Sequence, residues 1–174
     1  MSYHVWSENG YGFDVSKIIN NLTLEKWSLL RATIYLFWEK TTPYSDEDYP
    51  EAKEFFDTPI TNNVAQDIDK ARKIFNEYAS DVYWGIIGFD GLVAETLTWL
   101  WKTNEHDDKL INMVVDDFDD FDGSHIYWLI SPVYPWWKGE KFNSEDDCKN
   151  AIIKSMNGLI TAGDIDHRSI ECGG

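Results

Sequence analysis

At 174 residues the chain suits one domain, whose core can bury roughly two thirds of the unfolded surface. Apolar residues make up 43%, which argues against disorder. The 31 acidic and 15 basic residues leave a formal net charge of −16. Such a surface repels phosphate backbones and anionic lipid, so direct binding to nucleic acid or membrane is not expected, whereas basic proteins and cations are attracted.

The opening MSYHVWSENGYGF has neither the basic nor the apolar region of a secretory signal, and no apolar run of 18 residues offers a membrane span. Cys148 and Cys172 form no framework and no C-x-x-C pair, and read as free thiols in a reducing cytoplasm. The sequon at Asn21-Leu22-Thr23 is then accidental. Nine Trp, nine Tyr and nine Phe exceed what a core of this size needs. Some rings are therefore expected in a groove or at an interface, one face buried and the polar tip wet.

In chain order, residues 3–7 alternate and suggest a first strand, followed by a turn signal at Glu8-Asn9-Gly10. Thr23 can cap a helix to about Lys40, with Leu24, Trp27, Leu30 and Ile34 at helical spacing. An acidic loop at 41–49 leads to Pro50, which suits the first position of a short helix to Phe56. A helix from about Asn63 to Ala79 follows. Gly85, Gly88 and Gly91 then mark a turn, and Asp90 can cap a helix through Trp101.

Beyond His106 the pattern turns β-rich. Residues 109–118 and 125–131 flank an Asp-Gly turn and suggest a hairpin with a bulge. Ser144, followed by Glu145, Asp146 and Asp147, starts a helix with acids where the dipole favours them. Residues 164–172 read as a last strand. Collapsing the middle helices into one block gives β-α-β-β-α-β, the ferredoxin-like order: an α+β fold with a four-stranded antiparallel sheet and helices on one face. The whole chain, 1–174, is then a single domain with 41–105 as a helical insertion. A four-stranded meander with irregularly packed helices is the alternative.

The densest local feature is Asp116, Asp117, Asp119, Asp120 and Asp122, interleaved with Phe118 and Phe121. A calcium loop fails, because setting Gly123 as its glycine leaves Phe118 at position 1 and Leu129 at position 12. A looser Mg²⁺ site, a solvated hairpin tip and a protein-binding surface that imitates nucleic acid are the remaining readings. Charge distribution favours the last. Residues 45–57, which include Glu47 and Asp48, and residues 104–123 hold 14 of the 31 acids but only 2 of the 15 basic residues. Concentrated charge costs stability through self-repulsion, which points to a use. In Tyr134-Pro135-Trp136-Trp137, a rigid proline beside two Trp makes a contact patch, or both rings cover the sheet end.

Enzyme signals are weak. The histidines are His4, His106, His125 and His167; His4 and His167 could be cross-strand neighbours able, with Asp164 or Asp166, to serve acid–base cleavage of RNA. No G-x-S-x-G, H-E-x-x-H or P-loop is present. Gly85-Ile86-Ile87-Gly88-Phe89-Asp90-Gly91 lacks dinucleotide-binding spacing, and Asp90 would repel a phosphate. No cofactor and no metal ligand set are expected.

Three stretches carry a resemblance: Val5-Trp6-Ser7-Glu8-Asn9-Gly10-Tyr11-Gly12, Asp120-Phe121-Asp122-Gly123 through Tyr134-Pro135-Trp136, and Ser169-Ile170-Glu171-Cys172-Gly173-Gly174. They resemble a family of small proteins from phages and mobile elements of Gram-positive bacteria. Small acidic proteins of that origin are similar in kind to anti-CRISPR proteins, which block RNA-guided nucleases. The resemblance implies a non-enzymatic inhibitor in the host cytoplasm, a DNA mimic whose acidic residues enter the basic channel of such a nuclease. The candidate contacts are Asp116, Asp117, Asp119, Asp120, Asp122, Glu47 and Asp48, with Trp136 and Trp137 as anchors. A small enzyme acting on guide RNA, aided by a basic strip of Lys138, Lys141, Lys149 and Lys154, and a mobile-element regulatory protein with a basic host partner are the alternatives.

Overall fold

The computed structural model describes residues 5–41, 47, 49–76, 78, 88–106, 112–116, 126–130 and 144–173, with backbone alone at 5–9, 105–106, 112–116 and 168–173. Strand β1 (Val5–Asp14) leads into helix α1 (Val15–Asn20), and Asp14 caps α1 by accepting from the Lys17 backbone N–H at 2.9 Å. Helix α2 (Leu24–Thr41) starts as the sequence predicts, the Thr23 hydroxyl accepting from the Lys26 N–H. Helix α3 (Pro50–Asp57) has proline at its first position. Helix α4 (Val64–Ile74), capped by the Asn63 side chain, ends at Phe75, short of the expected Ala79.

Helix α5 (Gly88–Trp101) begins at Gly88, whose φ of +87° suits glycine, so Asp90 lies inside its first turn and is not its cap. A π-helical turn (Lys102–His106) ends it. Strands β2 (Asn112–Asp116) and β3 (Ile126–Ile130), helix α6 (Glu145–Ser155) with its Ser144 cap, and strand β4 (Asp166–Gly173) complete the chain.

The strands pair antiparallel in the order β2-β3-β1-β4. Strand β1 is interior, paired with β4 from Val5 to Gly12 and with β3 from Tyr11 to Asp14. The expected turn at Glu8-Asn9-Gly10 is therefore extended strand: Glu8 faces Ile170, Asn9 faces Ser169 and Gly10 faces Arg168. Gly12, opposite Leu129, permits a close approach of the two backbones. A Cβ there would run into the Trp128 carbonyl oxygen and come within 2.8 Å of the Leu129 Cα.

The chain does not adopt the expected ferredoxin-like architecture. Six α-helices dominate the described residues, five of them between β1 and β2, where that architecture has one crossover helix beside a four-stranded sheet. Residues 41–105 hold α3, α4 and α5. Helix α5 has 11 of its 14 residues buried, and it packs against α1, α2, α4, α6 and β3. Apolar burial, not the order of segments, makes α5 the centre.

Trp27, Trp101 and Trp128 are fully buried. Trp128 stacks on Phe13 at 5.2 Å, meets Trp101 edge-on at 5.6 Å and donates its indole N–H to the Thr98 hydroxyl. This joins sheet to α5. Among the described residues, aromatic rings are packed mainly inside. Trp38, Tyr49, Phe55, Phe56, Phe75, Tyr78 and Phe89 interlock between α2, α3, α4 and α5. Among the described Trp, Tyr and Phe rings only that of Tyr35 is exposed.

Candidate interaction surface

Helix α3 carries the described part of the first acidic cluster. Its apolar side, Ala52 and Phe55, is buried, and Glu51, Glu54 and Asp57 are exposed, as is Glu47 before it. The helical rise sets Glu51, Glu54 and Asp57 about 4.5 Å apart along the axis. Lys53 lies 2.6 Å from Asp57 and offsets its charge, whereas Glu47, Glu51 and Glu54 form no ion pair among the described residues.

Arg31 fixes this helix. Its Nη2 donates to the carbonyl oxygens of Phe55 and Phe56 at 2.6 and 3.0 Å, and its guanidinium lies 5.1 Å from the Phe55 ring centre. Two otherwise orphan carbonyls at the α3 C-terminus thus receive a cation, as the helix dipole favours. Burial lowers the Arg31 pKa, and the nearby Asp67 charge acts in the opposite sense.

Asp67 is the buried carboxylate of this layer. Its oxygens accept from the Thr61 backbone N–H at 2.8 Å, the Thr61 hydroxyl at 2.7 Å and the Trp27 indole at 3.3 Å. Burial opposes its ionisation, but the Thr61 and Trp27 hydrogen bonds and the Arg31 charge outweigh it and hold the pKa below the usual carboxylate value. The group is structural: it ties the segment after α3 to α2 and α4. Deeper inside, Tyr78 donates to the buried Glu95 carboxylate at 2.5 Å. Arg72 holds Asp90 through two bonds and Asn20 through a third, joining α4, α5 and α1. Asp90 is thus a half-buried ion-pair partner at a helix junction.

Of the second cluster, Asp116 is the last residue of β2, opposite Ile126. Asp117, Asp119, Asp120 and Asp122 lie outside the described residues, as do Asp48, Trp136, Trp137, His4, His125, Lys138 and Lys141. No described contact brings these candidates together or separates them. His167 has Tyr11 as its cross-strand partner, the rings 5.1 Å apart, not the expected His4. The expected histidine pair for RNA cleavage is thereby corrected. Lys149 is engaged with Glu145 at 3.0 Å, which raises its pKa. Cys148 is buried, and its thiol is pushed up to about 12 by burial and then by the Glu145 charge.

No family model, characterised protein or solved structure matches this chain. Among the described residues, no group of three or more His, Cys, Asp or Glu could hold a metal ion, and no helix is long and apolar enough to cross a membrane. A cleft of about 290 Å³ between α1, the start of α2 and the segment that follows α6 is lined by Lys17, Asn21, Lys26 and Asp164 over Ile18, Leu22 and Leu159. Neither lysine forms an ion pair among the described residues.

Sequence reasoning missed the apolar side of the candidate surface. Among the described residues, four of the five exposed large hydrophobic side chains, Leu24, Leu29, Tyr35 and Leu36, stand on α2. The signal was in the sequence: apolar residues on both sides of one long helix. Reading only the buried stripe passed over it.

Proposed function

We propose that the protein is a non-enzymatic inhibitor that occupies a basic nucleic-acid-binding surface of a host defence protein, an RNA-guided nuclease being the target of choice. The observation that carries this reading is the concentration of 14 of 31 acids in two stretches with 2 of 15 basic residues. In the first stretch Glu47, Glu51 and Glu54 stand exposed on or before a helix that Arg31 braces. Carboxylates held on a rigid scaffold cost little ordering entropy on binding. Nucleases of that kind hold guide and target in a positively charged channel, so an acidic protein seated there displaces DNA. The resemblance to small phage and mobile-element proteins supports the same choice of target.

The test adds the protein to a purified RNA-guided nuclease loaded with guide and measures target DNA binding at low and physiological ionic strength. Inhibition is expected, weakening steeply with salt, because exposed charges are screened beyond roughly 8 Å at physiological salt. Replacing Asp116, Asp117, Asp119, Asp120 and Asp122 by Asn, or Glu47, Glu51 and Glu54 by Gln, should slow association and leave the fold intact. A salt-independent affinity would remove mimicry. Guide RNA should stay full length with or without Mg²⁺; cleavage lost on His167→Ala would replace inhibition by an enzymatic reading.

A further inference from the structure

Asn-Gly occurs twice in the chain, at Asn9-Gly10 and at Asn157-Gly158. The fold treats the two dipeptides differently. Asn9 and Gly10 lie in strand β1 with Ser169 and Arg168 of β4 as their backbone partners, and Gly10 is buried. Asn157 and Gly158 are exposed, at the centre of the turn that follows α6. The Leu159 N–H closes that turn by donating to the Met156 carbonyl at 2.9 Å. The φ angles of +49° at Asn157 and +87° at Gly158 have the sign pattern of a type I′ turn, a conformation that asparagine and glycine adopt with least strain. Local geometry thus accounts for both residues, and it also leaves their reactive atoms open. Neither the Asn157 side chain nor the Gly158 N–H forms a hydrogen bond among the described residues.

We infer that Asn157 is a site of spontaneous deamidation in the folded protein, and that strand β1 protects Asn9 from the same reaction. The Gly158 backbone nitrogen, having lost its proton to base, attacks the Asn157 Cγ. A nitrogen–carbon bond forms, the Cγ–Nδ2 bond breaks, and the side-chain nitrogen leaves as ammonia. The resulting succinimide ring then takes up a water molecule. Opening at Cγ gives aspartate, whereas opening at the Asn157 main-chain carbonyl gives an isoaspartyl linkage whose backbone runs through Cβ and Cγ. Glycine permits the attack because no Cβ crowds its nitrogen. In β1, cross-strand pairing holds the backbone extended, so the ring cannot close until the strand opens. Either product adds negative charge to a chain already at −16, beside the negative end of the α6 dipole, where it is disfavoured. The isoaspartyl form also adds a methylene to the turn between Met156 and Leu159, both buried in the core. The reaction needs no partner and is independent of the inhibitor reading.

The experiment incubates the full chain in mildly alkaline buffer, folded and in urea, and follows the peptides that carry Asn9 and Asn157 by chromatography and mass. Deamidation adds about 1 Da, and aspartyl and isoaspartyl peptides separate on the column. In urea the two dipeptides should convert at similar rates, and each folded-state rate is divided by its urea value. In the folded protein Asn157 should keep a rate within about tenfold of that value, while Asn9 slows by about a hundredfold or more, because its strand must open first. Equal slowing of the two sites on folding overturns the inference, as does faster conversion at Asn9 than at Asn157. So does a folded chain in which Asn157 stays intact over the time that the unfolded chain needs to convert.

Discussion

Arg31 holds Phe55 twice, donating to its carbonyl oxygen at 2.6 Å while its guanidinium lies 5.1 Å from the centre of the same ring. The contact fixes the end of α3 against the middle of α2, and with it the outward direction of the α3 acids. Removing it with Arg31→Ala should cost about 2 kcal/mol, in the range of hydrogen bonds to charged groups. Arg31→Lys should recover only part, because one ammonium does not reproduce a planar fork that also stacks on the ring. Urea midpoints of the three proteins measure this, and equal midpoints would show that α3 is held by its apolar side alone.

Gly12 tests the centre of the sheet. Ala at this position places a methyl against the Trp128 carbonyl and 2.8 Å from the Leu129 Cα, atoms of backbone that a rotamer change does not relieve. Gly12→Ala should destabilise by about 3 kcal/mol or more, whereas Gly10→Ala, where the nearest atom is the Leu129 Cβ at 3.3 Å, should cost distinctly less. Chemical denaturation of the pair decides it, and similar costs would place β1 differently from the register found.

Asp67 makes stability depend on pH in one direction. Its folded pKa is lowered from an unfolded value of about 3.9, so its contribution is present above that value and is lost as pH falls through the folded pKa. Asp67→Asn should therefore lower stability by about 1.5–3 kcal/mol at neutral pH, and the gap to wild type should shrink below pH about 4. A gap that is constant from pH 7 to pH 2 would mean that the carboxylate charge contributes nothing.

Cys148 acts at the other end of the scale. Its thiol titrates at about 12 in the folded protein, against about 8.5 in an unfolded chain. Above that lower value the unfolded state gains by ionising and the folded state does not, so this site costs stability as pH rises through 8.5 toward 12. Native protein at pH 8 should leave Cys148 unmodified by iodoacetamide, and denatured protein should react fully, read by peptide mass. Labelling of the native protein at the rate of a free thiol would contradict the burial.

Trp136 and Trp137 separate core from interface. Pro135 restricts the chain, and adjacent side chains in an extended segment point to opposite sides, so one ring is expected inside and one outside. Trp136→Ala should then cost about 3–5 kcal/mol of stability. Trp137→Ala should change stability by about 0.5 kcal/mol or less while lowering partner affinity by about 2 kcal/mol. Melting curves beside binding curves decide between the rings; two destabilised variants with unaltered affinity per folded molecule would take the loop out of the interface.

Four helix starts were legible because each is written in a few adjacent residues. Thr23, Pro50, Asn63 and Ser144 stand at the beginnings of α2, α3, α4 and α6, where a side-chain oxygen or a missing N–H satisfies local geometry whatever the rest of the chain does. The acidic excess was equally plain from composition. What the sequence did not decide is which elements lie inside. Glu8-Asn9-Gly10 has the local chemistry of a turn, yet pairing with β4 draws it into an interior strand. The run after Gly88 forms a helix with 11 of its 14 residues buried, which its sequence alone does not assign to the centre. Likewise α2 keeps Leu24, Leu29 and Leu36 exposed, while Trp27, Leu30, Ile34 and Trp38 are buried in the core. Caps and charge are short-range and additive, so sequence determined them; burial depends on every element at once, so only the tertiary structure could assign it.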